Sequence, residues 1–322
     1  AANNNAPQLK GTSEAEATIK VYANTNCSGL PAVTGSASDF TTTGITVSVG
    51  DNTVTNFSAR AVDLAGNIGP CSATFVTYTE DSTPPGAPSI TATTPASPAK
   101  LSAPFTIQVN GSAPGATTVL LYTSSACTNA VATGTRAAVE GAGIQVSVGV
   151  NQTTLIYARS NDGANNSECS SPLAFTEDAV SPNAPTGLSM NPPSPAKTTA
   201  PKVTGNAEAD GTVEIFATAD CSGAALAEGP ASTFASPGIV VTASANVTTT
   251  YYARARDRAG NVGDCSLGVS YTHDDVSPAA PNTLTITPTP PANNRNPIIR
   301  GIAEQRSKVE IFKQVGCGGG SQ

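Results

Sequence analysis

The chain has 322 residues, of which 12% are charged and 5% aromatic, and its net charge is −7. The chain therefore lacks the excess of basic residues that is typical of nucleic-acid-binding proteins. It has no apolar run of 18 residues, so we expect no membrane span, and its single His leaves no catalytic triad or His-rich metal site. We therefore expect no enzymatic activity. The abundance of Thr, Ser, Ala, Val, Asn, Gly and Pro is typical of β-strands and tight turns.

The same landmarks recur along the chain with a period of about 96 residues. Each repeat has a Gly, then an aromatic residue eleven positions later, then a Cys five positions further on. These are Gly11, Tyr22 and Cys27; Gly111, Tyr122 and Cys127; Gly205, Phe216 and Cys221; and Gly301, Phe312 and Cys317. The period exceeds that of solenoid repeats and matches one small autonomous domain.

Period-two alternation of apolar and polar residues predicts the strands within each repeat. It appears at Ile45–Val49, Ile144–Val148 and Thr212–Phe216, and a longer strand is predicted at Thr250–Arg256. Turn residues separate the strands at the 8–12-residue spacing that is typical of β-sandwiches. No stretch shows a 3.6-residue apolar period. We predict about seven strands per repeat, packed as two antiparallel sheets.

Two further motifs carry a family resemblance. Asp63-Leu-Ala-Gly-Asn67 and Asp257-Arg-Ala-Gly-Asn261 match closely, and Thr79-Glu-Asp81 leads into a Pro-x-Ala-Pro junction that recurs in the next two repeats. These motifs resemble bacterial immunoglobulin-like (Ig-like) tandem repeats of large surface adhesins and other extracellular repeat proteins. The resemblance implies an all-β fold: a tandem array of Ig-like antiparallel β-sandwich domains that forms an extended rod. The core Trp of antibody domains is missing, so their central disulfide is not implied.

The landmarks predict four domains, which we call repeats 1 to 4. Their boundaries are 1–84, 85–181, 182–277 and 278–322. Repeat 1 is expected to lack its first strand, and repeat 4 is expected to be the truncated start of another domain. We interpret the chain as a window from a longer array.

The seven cysteines fit the repeat as three pairs and one remaining residue. The predicted disulfides are Cys27–Cys71, Cys127–Cys169 and Cys221–Cys265. Cys317 would be the first member of a fourth pair. Disulfides persist in oxidising compartments, so we expect an extracellular or bacterial cell-surface location. The alternative is buried thiols in a reduced cytosolic protein, whereas a zinc site is disfavoured because closely spaced Cys ligands are missing.

Acidic residues recur in the loop before the second Cys and at the domain junctions. They are Asp63, Asp162 and Asp257 in the loop, and Glu80, Asp81, Glu177, Asp178, Asp274 and Asp275 at the junctions. The resemblance implies calcium at such junctions, and Ca²⁺ prefers clustered oxygen ligands. The alternative is that each Asp caps its own turn. The recurring Arg60, Arg159 and Arg254 are expected to pair with cross-strand carboxylates.

Three functions from different classes agree with this pattern. The first is a structural stalk or spacer of a large secreted bacterial surface protein, which extends a terminal module from the cell. The second is a binding module whose loops contact a glycan or a protein on a host or neighbouring cell. The third is a segment of a self-assembling extracellular filament. The expected partners are neighbouring repeats of the same chain, with neither nucleic acid nor a membrane span.

Overall fold

The structure is a computed structural model that describes residues 1–314, 316 and 317. These residues form 23 strands and three one-turn helices, which confirms the predicted all-β tandem of Ig-like antiparallel β-sandwiches. The chain divides into two compact units. The first unit comprises residues 1–180 and 258–261, and the second comprises residues 181–257 and the part from 262 onward.

Repeat 1 lies in the first unit and contains two sheets. Strands β2, β3, β5 and β6 form a four-stranded sheet in the order β3-β2-β5-β6, and β1 pairs with β4. The elements are β1 Gln8–Leu9, β2 Thr18–Tyr22, β3 Val33–Ser36, α1 Ala37–Thr41, β4 Ile45–Thr46, β5 Val54–Val62 and β6 Val76–Thr79.

Repeat 2 also lies in the first unit and has seven strands, as the sequence predicts. Its sheets have the orders β10-β9-β12-β13 and β11-β8-β7. The elements are β7 Ser89–Thr94, β8 Thr106–Ser112, β9 Thr118–Tyr122, β10 Ala132–Thr135, α2 Arg136–Glu140, β11 Ile144–Ser147, β12 Thr153–Asn161 and β13 Leu173–Thr176.

The second unit repeats this plan. One sheet has the order β14-β15-β18, and the other has the order β17-β16-β19-β20 with β21 also paired to β19. The elements are β14 Thr186–Asn191, β15 Lys202–Asn206, β16 Thr212–Phe216, β17 Ala227–Pro230, α3 Ala231–Ala235, β18 Ile239–Val240, β19 Thr248–Arg256, β20 Val262–Cys265 and β21 Val269–Thr272. A separate hairpin of β22 Asn282–Thr287 and β23 Ile298–Ile302 follows.

Each of repeats 1, 2 and 3 has its own apolar core between its two sheets. In repeat 2, Val109 of β8 packs in the same cluster as Leu121 of β9 and Ile156 of β12, and all three are fully buried. Equivalent clusters form around Ile19 in repeat 1 and around Ile215 in repeat 3. These cores are built by the inward-facing residues of the alternating strands, as in other β-sandwiches.

The three short helices were not predicted from the sequence. Each has five residues, which is too short for an apolar period of 3.6 to be recognised. The first two are capped by a hydroxyl: Ser36 accepts from the Asp39 amide and Thr135 accepts from the Ala138 amide. Within the described residues, no helix has the length and apolar character that a membrane crossing requires.

The four predicted domain boundaries stay predictions. Part of predicted repeat 4, residues 315 and 318–322, lies outside the described residues.

Candidate functional site at the junction segments

The structure joins the cysteines in the three pairs that the repeat predicts. The bonds Cys27–Cys71, Cys127–Cys169 and Cys221–Cys265 have Cα–Cα distances of 5.7, 6.0 and 5.6 Å. Each bond closes a loop of similar length, with sequence separations of 44, 42 and 44 residues. Within the part of the chain that the structure describes, Cys317 is exposed and forms no disulfide. Three intact disulfides are typical of a secreted or extracellular protein.

The first residue of each acidic junction is buried and holds a turn. Glu177 is 0% exposed, and its Oε2 accepts a hydrogen bond from the backbone N–H of Asn151 at 2.6 Å. Its Oε1 accepts from the backbone N–H of Leu101 at 3.1 Å. Glu80, which is 1% exposed, accepts in the same way from the N–H of Asn52 at 2.6 Å. The buried carboxylate therefore satisfies backbone donors of its own repeat.

The asparagine whose N–H bonds the buried carboxylate also accepts a hydrogen bond from the junction backbone through its side chain. Asn151 Oδ1 accepts from the backbone N–H of Ala179 at 2.8 Å, two residues beyond Glu177. Asn52 Oδ1 accepts likewise from the N–H of Ser82 at 3.1 Å. We call this reciprocal pair of bonds the turn clamp. It fixes the end of the last strand against the turn that begins the long strand.

Repeat 3 builds the same clamp with a histidine. His273 is 2% exposed, and its Nδ1 accepts from the backbone N–H of Asn246 at 3.0 Å. Asn246 Oδ1 in turn accepts from the N–H of Asp275 at 3.1 Å. Because an unprotonated ring nitrogen accepts as a carboxylate oxygen does, His replaces Glu without loss of the clamp.

The Asp that directly follows Glu80, Glu177 or His273 caps its own backbone. The Oδ1 atoms of Asp81, Asp178 and Asp274 accept from the backbone N–H two residues later, at 3.2, 3.0 and 3.1 Å. This is the Asx-turn that Asp commonly forms ahead of a Pro-rich linker.

The loop aspartates also bond within their own loops. Both carboxylate oxygens of Asp63 accept from Asn67, through its side-chain amide and its backbone N–H, each at 2.8 Å. These bonds hold the pKa of Asp63 below its ordinary value. Burial raises the pKa of Asp162, but hydrogen bonds from the N–H groups of Asn165 and Ala164 outweigh it, so that pKa is also lowered. Asp257 is half-buried at the start of the third loop.

The asparagine of this loop reaches the junction of the preceding repeat. Asn165 is 6% exposed, and its side-chain amide donates to the carbonyl oxygen of Asp81 at 2.9 Å. Asn261 is 1% exposed and donates to the carbonyl oxygen of Asp178, also at 2.9 Å. In repeat 1 the corresponding Asn67 is exposed. The loop and the junction that the sequence marks separately are therefore brought together by an amide.

Calcium binding by these acidic residues stays a prediction. Among the residues that the structure describes, no three or more His, Cys, Asp or Glu side chains are grouped so as to hold a metal ion.

The recurring arginines follow the prediction in one repeat of three. Arg254 bonds Glu214 on the neighbouring strand at 2.8 Å and lies 4.8 Å from the centre of the Phe216 ring. Arg60 and Arg159 instead donate to the carbonyl oxygens of Cys27 and Ser167. The reason is the residue opposite on the paired strand, which is Lys20 for Arg60 and Leu120 for Arg159.

Sequence reasoning missed the asparagines that complete the site. The turn residues Asn52, Asn151 and Asn246 share a left-handed backbone, with φ of 54°, 49° and 56°, which Asn tolerates better than most residues. Their recurrence ahead of each long strand was the available signal. The asparagine at the end of the loop motif is a second such residue, because the amides of Asn165 and Asn261 contact the preceding repeat.

No protein-family model matches the chain. No curated protein matches it either. Among solved structures, the crystal structure of the FN1–FN3 domains of chicken CNTN1 has a TM-score of 0.34 and 11% identity, covering 84% of this chain and 97% of that one. At that TM-score the similarity carries no argument about this chain.

Proposed function

We propose that this chain is a spacer segment of a large secreted bacterial surface protein, which holds a terminal module away from the cell. The role is mechanical rather than catalytic. The observation that carries the proposal is the contact of Asn165 with the Asp81 carbonyl, because it ties the loop of one repeat to the end of the repeat before it. A linker held in this way transmits force between repeats better than a flexible coil.

The disulfides support the same role. Each bond encloses a segment whose ends are 42 to 44 residues apart in sequence, and that segment cannot extend while the bond is intact. At about 3.4 Å per residue, each bond withholds roughly 150 Å of extension. A sandwich that unfolds under load therefore lengthens much less than an unbridged one.

Single-molecule pulling of the full chain tests this proposal. We expect separate unfolding events, each of which lengthens by roughly 150 Å when the pulling is repeated under reducing conditions. As a control, the short events should be seen in oxidising buffer before reduction, and they should return after the reductant is removed. Smooth extension without separate events, at forces that unfold ordinary β-sandwiches, would contradict a mechanical role.

Calcium at the junctions is proposed as a second stabilising element of the spacer, on the resemblance stated above. The test is the melting temperature of the full chain with millimolar Ca²⁺, with Mg²⁺ and with chelator. A rise specific to Ca²⁺ supports the proposal, because a ligand that binds the folded state stabilises it. Equal melting temperatures in the three buffers contradict it.

A further inference from the structure

One pair of cationic side chains in repeat 1 lacks an anionic partner. Lys20 of β2 and Arg60 of β5 are direct partners across the antiparallel pair, and both are half-buried. Ile19 and Val21, on either side of Lys20, are buried in the core, so alternation places Lys20 and Arg60 together on the outer face of the sheet. Among the described residues, neither side chain forms an ion pair. Like charges that lie directly opposite each other destabilise a sheet.

Repeat 3 has a carboxylate at the same place. Glu214 occupies the position of Lys20 in its repeat, nine residues after the landmark Gly, and is the strand partner of Arg254. Its Oε2 accepts from Nε and Nη2 of Arg254, at 3.2 and 2.8 Å. Its Oε1 accepts from Arg256 at 3.2 Å. On this sheet face one carboxylate therefore bridges two cations.

The guanidinium group of Arg60 is held in the same way as that of Arg254. It lies 5.5 Å from the centre of the Tyr22 ring and donates to the carbonyl oxygen of Cys27 at 3.1 Å. Arg254 makes the same two contacts, with the aromatic ring and the Cys carbonyl at the equivalent positions of repeat 3. The two arginines are thus oriented alike, and they differ in the residue opposite.

The Nε–H group of Arg60 is left without an acceptor. This atom is buried and has no hydrogen-bond partner. The same atom donates to Glu214 in repeat 3, and in repeat 2 the Nε of Arg159 donates to the carbonyl oxygen of Ser167 at 2.6 Å. A buried charged donor without a partner costs free energy, and a carboxylate is an acceptor that a guanidinium group binds strongly.

The preceding repeat does not supply this acceptor where the chain contains one. Repeat 2 follows repeat 1 within the first unit, and its Leu120, at the position of Lys20, is half-buried as Lys20 is. The partner of Arg159 is Ser167, which belongs to the same repeat. We therefore expect the acceptor for Arg60 to come from a ligand rather than from a neighbouring repeat.

We propose that Lys20 and Arg60 bind the carboxylate group of an external ligand, at the position that the Glu214 carboxylate occupies in repeat 3. One oxygen accepts from Nε of Arg60 and the other from the ammonium group of Lys20, as the Glu214 carboxylate bridges Arg254 and Arg256. The long, flexible side chain of Lys20 moves to admit the ligand to the buried Nε. This inference does not rest on the spacer function.

A titration of the full chain with sodium acetate, followed by NMR at the Nε–H resonance of Arg60, tests the site. We expect a saturable shift with a dissociation constant on the order of 10 mM, because partly exposed ion pairs contribute little. Sodium chloride at the same ionic strength should give no saturable shift. The Nε–H of Arg254, which Glu214 already accepts, is the internal control and should not respond. The absence of a saturable response to acetate at Arg60 overturns the proposal.

Charge reversal at Lys20 tests the geometry. Lys20→Glu supplies the carboxylate from within the chain, so it should abolish acetate binding and move the Arg60 resonance in the direction that acetate moves it. Lys20→Leu, which copies Leu120 of repeat 2, should weaken binding about two- to fivefold through the loss of one cation. Lys10→Glu makes the same charge change at an exposed position of repeat 1 and should bind acetate within about twofold of the unmodified chain. Equal affinities of Lys20→Glu and Lys10→Glu contradict the assignment.

Two larger probes identify the source of the carboxylate. Glucuronate carries the group on a sugar ring, and N-acetylglutamate amide carries it on a peptide unit. Binding of either probe at least about tenfold tighter than acetate supports the proposal and assigns the source. If acetate binds and neither larger probe does, the site is too closed for an external ligand, and the proposal is wrong.

Discussion

Removal of the Glu177 carboxylate tests whether the turn clamp stabilises the sandwich. Glu177 is fully buried and accepts two backbone hydrogen bonds, from Asn151 at 2.6 Å and from Leu101 at 3.1 Å. Hydrogen bonds to a charged acceptor contribute about 1.5–3 kcal/mol each. We expect Glu177→Ala to lower the free energy of unfolding of repeat 2 by about 3–5 kcal/mol. Glu177→Gln keeps one acceptor oxygen and should cost about half as much.

The variant Glu177→His separates the two hydrogen bonds that the Glu177 carboxylate accepts. It should retain the bond from the Asn151 amide, as His273 does in its own repeat, and lose the bond from Leu101. Hydrogen exchange of the full chain reads both amides separately, which avoids assigning one unfolding transition to several repeats. Glu168→Ala, at an exposed position of the same repeat, is the control and should stay within about 0.5 kcal/mol. Unchanged exchange at both amides in Glu177→Ala would refute the reasoning.

Three further predictions concern the Asn165 amide, the ion pairs of Glu214 and the disulfides. Asn165→Ala should cost about 1–3 kcal/mol and speed proteolysis of the linker after Asp81, whereas Asn67→Ala, on the exposed loop, should leave that linker unaffected. Burial raises the pKa of Glu214, but hydrogen bonds from Arg254 and Arg256 outweigh it, so the pKa is lowered. A lowered pKa stabilises the folded state above the ordinary value of 4.5. This stabilisation is lost as the pH falls through the pKa of the folded state. Unfolding measured against pH should show this loss, and Glu214→Gln should remove it. Reduction should cost each sandwich about 4 kcal/mol, and alkylation mass shifts should show six protected thiols only before reductant is added.

The fold could be predicted from the sequence because its determinants recur. The alternation at Thr212–Phe216 and the long strand that ends at Arg256 depend on local side-chain pattern, and both are strands in the structure. The disulfide partners followed from the repeat as well. The one-turn helices could not be predicted, because a hydroxyl cap such as Ser36 is a weak signal when no segment of helical periodicity follows it.

The junction contacts could not be predicted in the same way, because they depend on which atom of a motif faces which neighbour. The sequence marks Asp162 and Asn165 together, but only the three-dimensional arrangement shows that the carboxylate bonds its own loop while the amide bonds Asp81. Likewise, Glu177 and Asn151 are 26 residues apart and meet through strand pairing. The charges of the junction residues are evident in the sequence, but the role of each residue depends on its hydrogen-bond geometry.

In the first unit, the linker held by Asn165 leads directly into the first strand of repeat 2. The Asp81 carbonyl is fixed by Asn165, and β7 begins eight residues later, at Ser89, where it pairs with β8. Ile90 then fills the core of repeat 2. The segment that connects repeats 1 and 2 therefore also supplies a core residue of repeat 2. Stability in such an array is shared between neighbours, and loss of the Asn165 contact should loosen β7 as well as the linker.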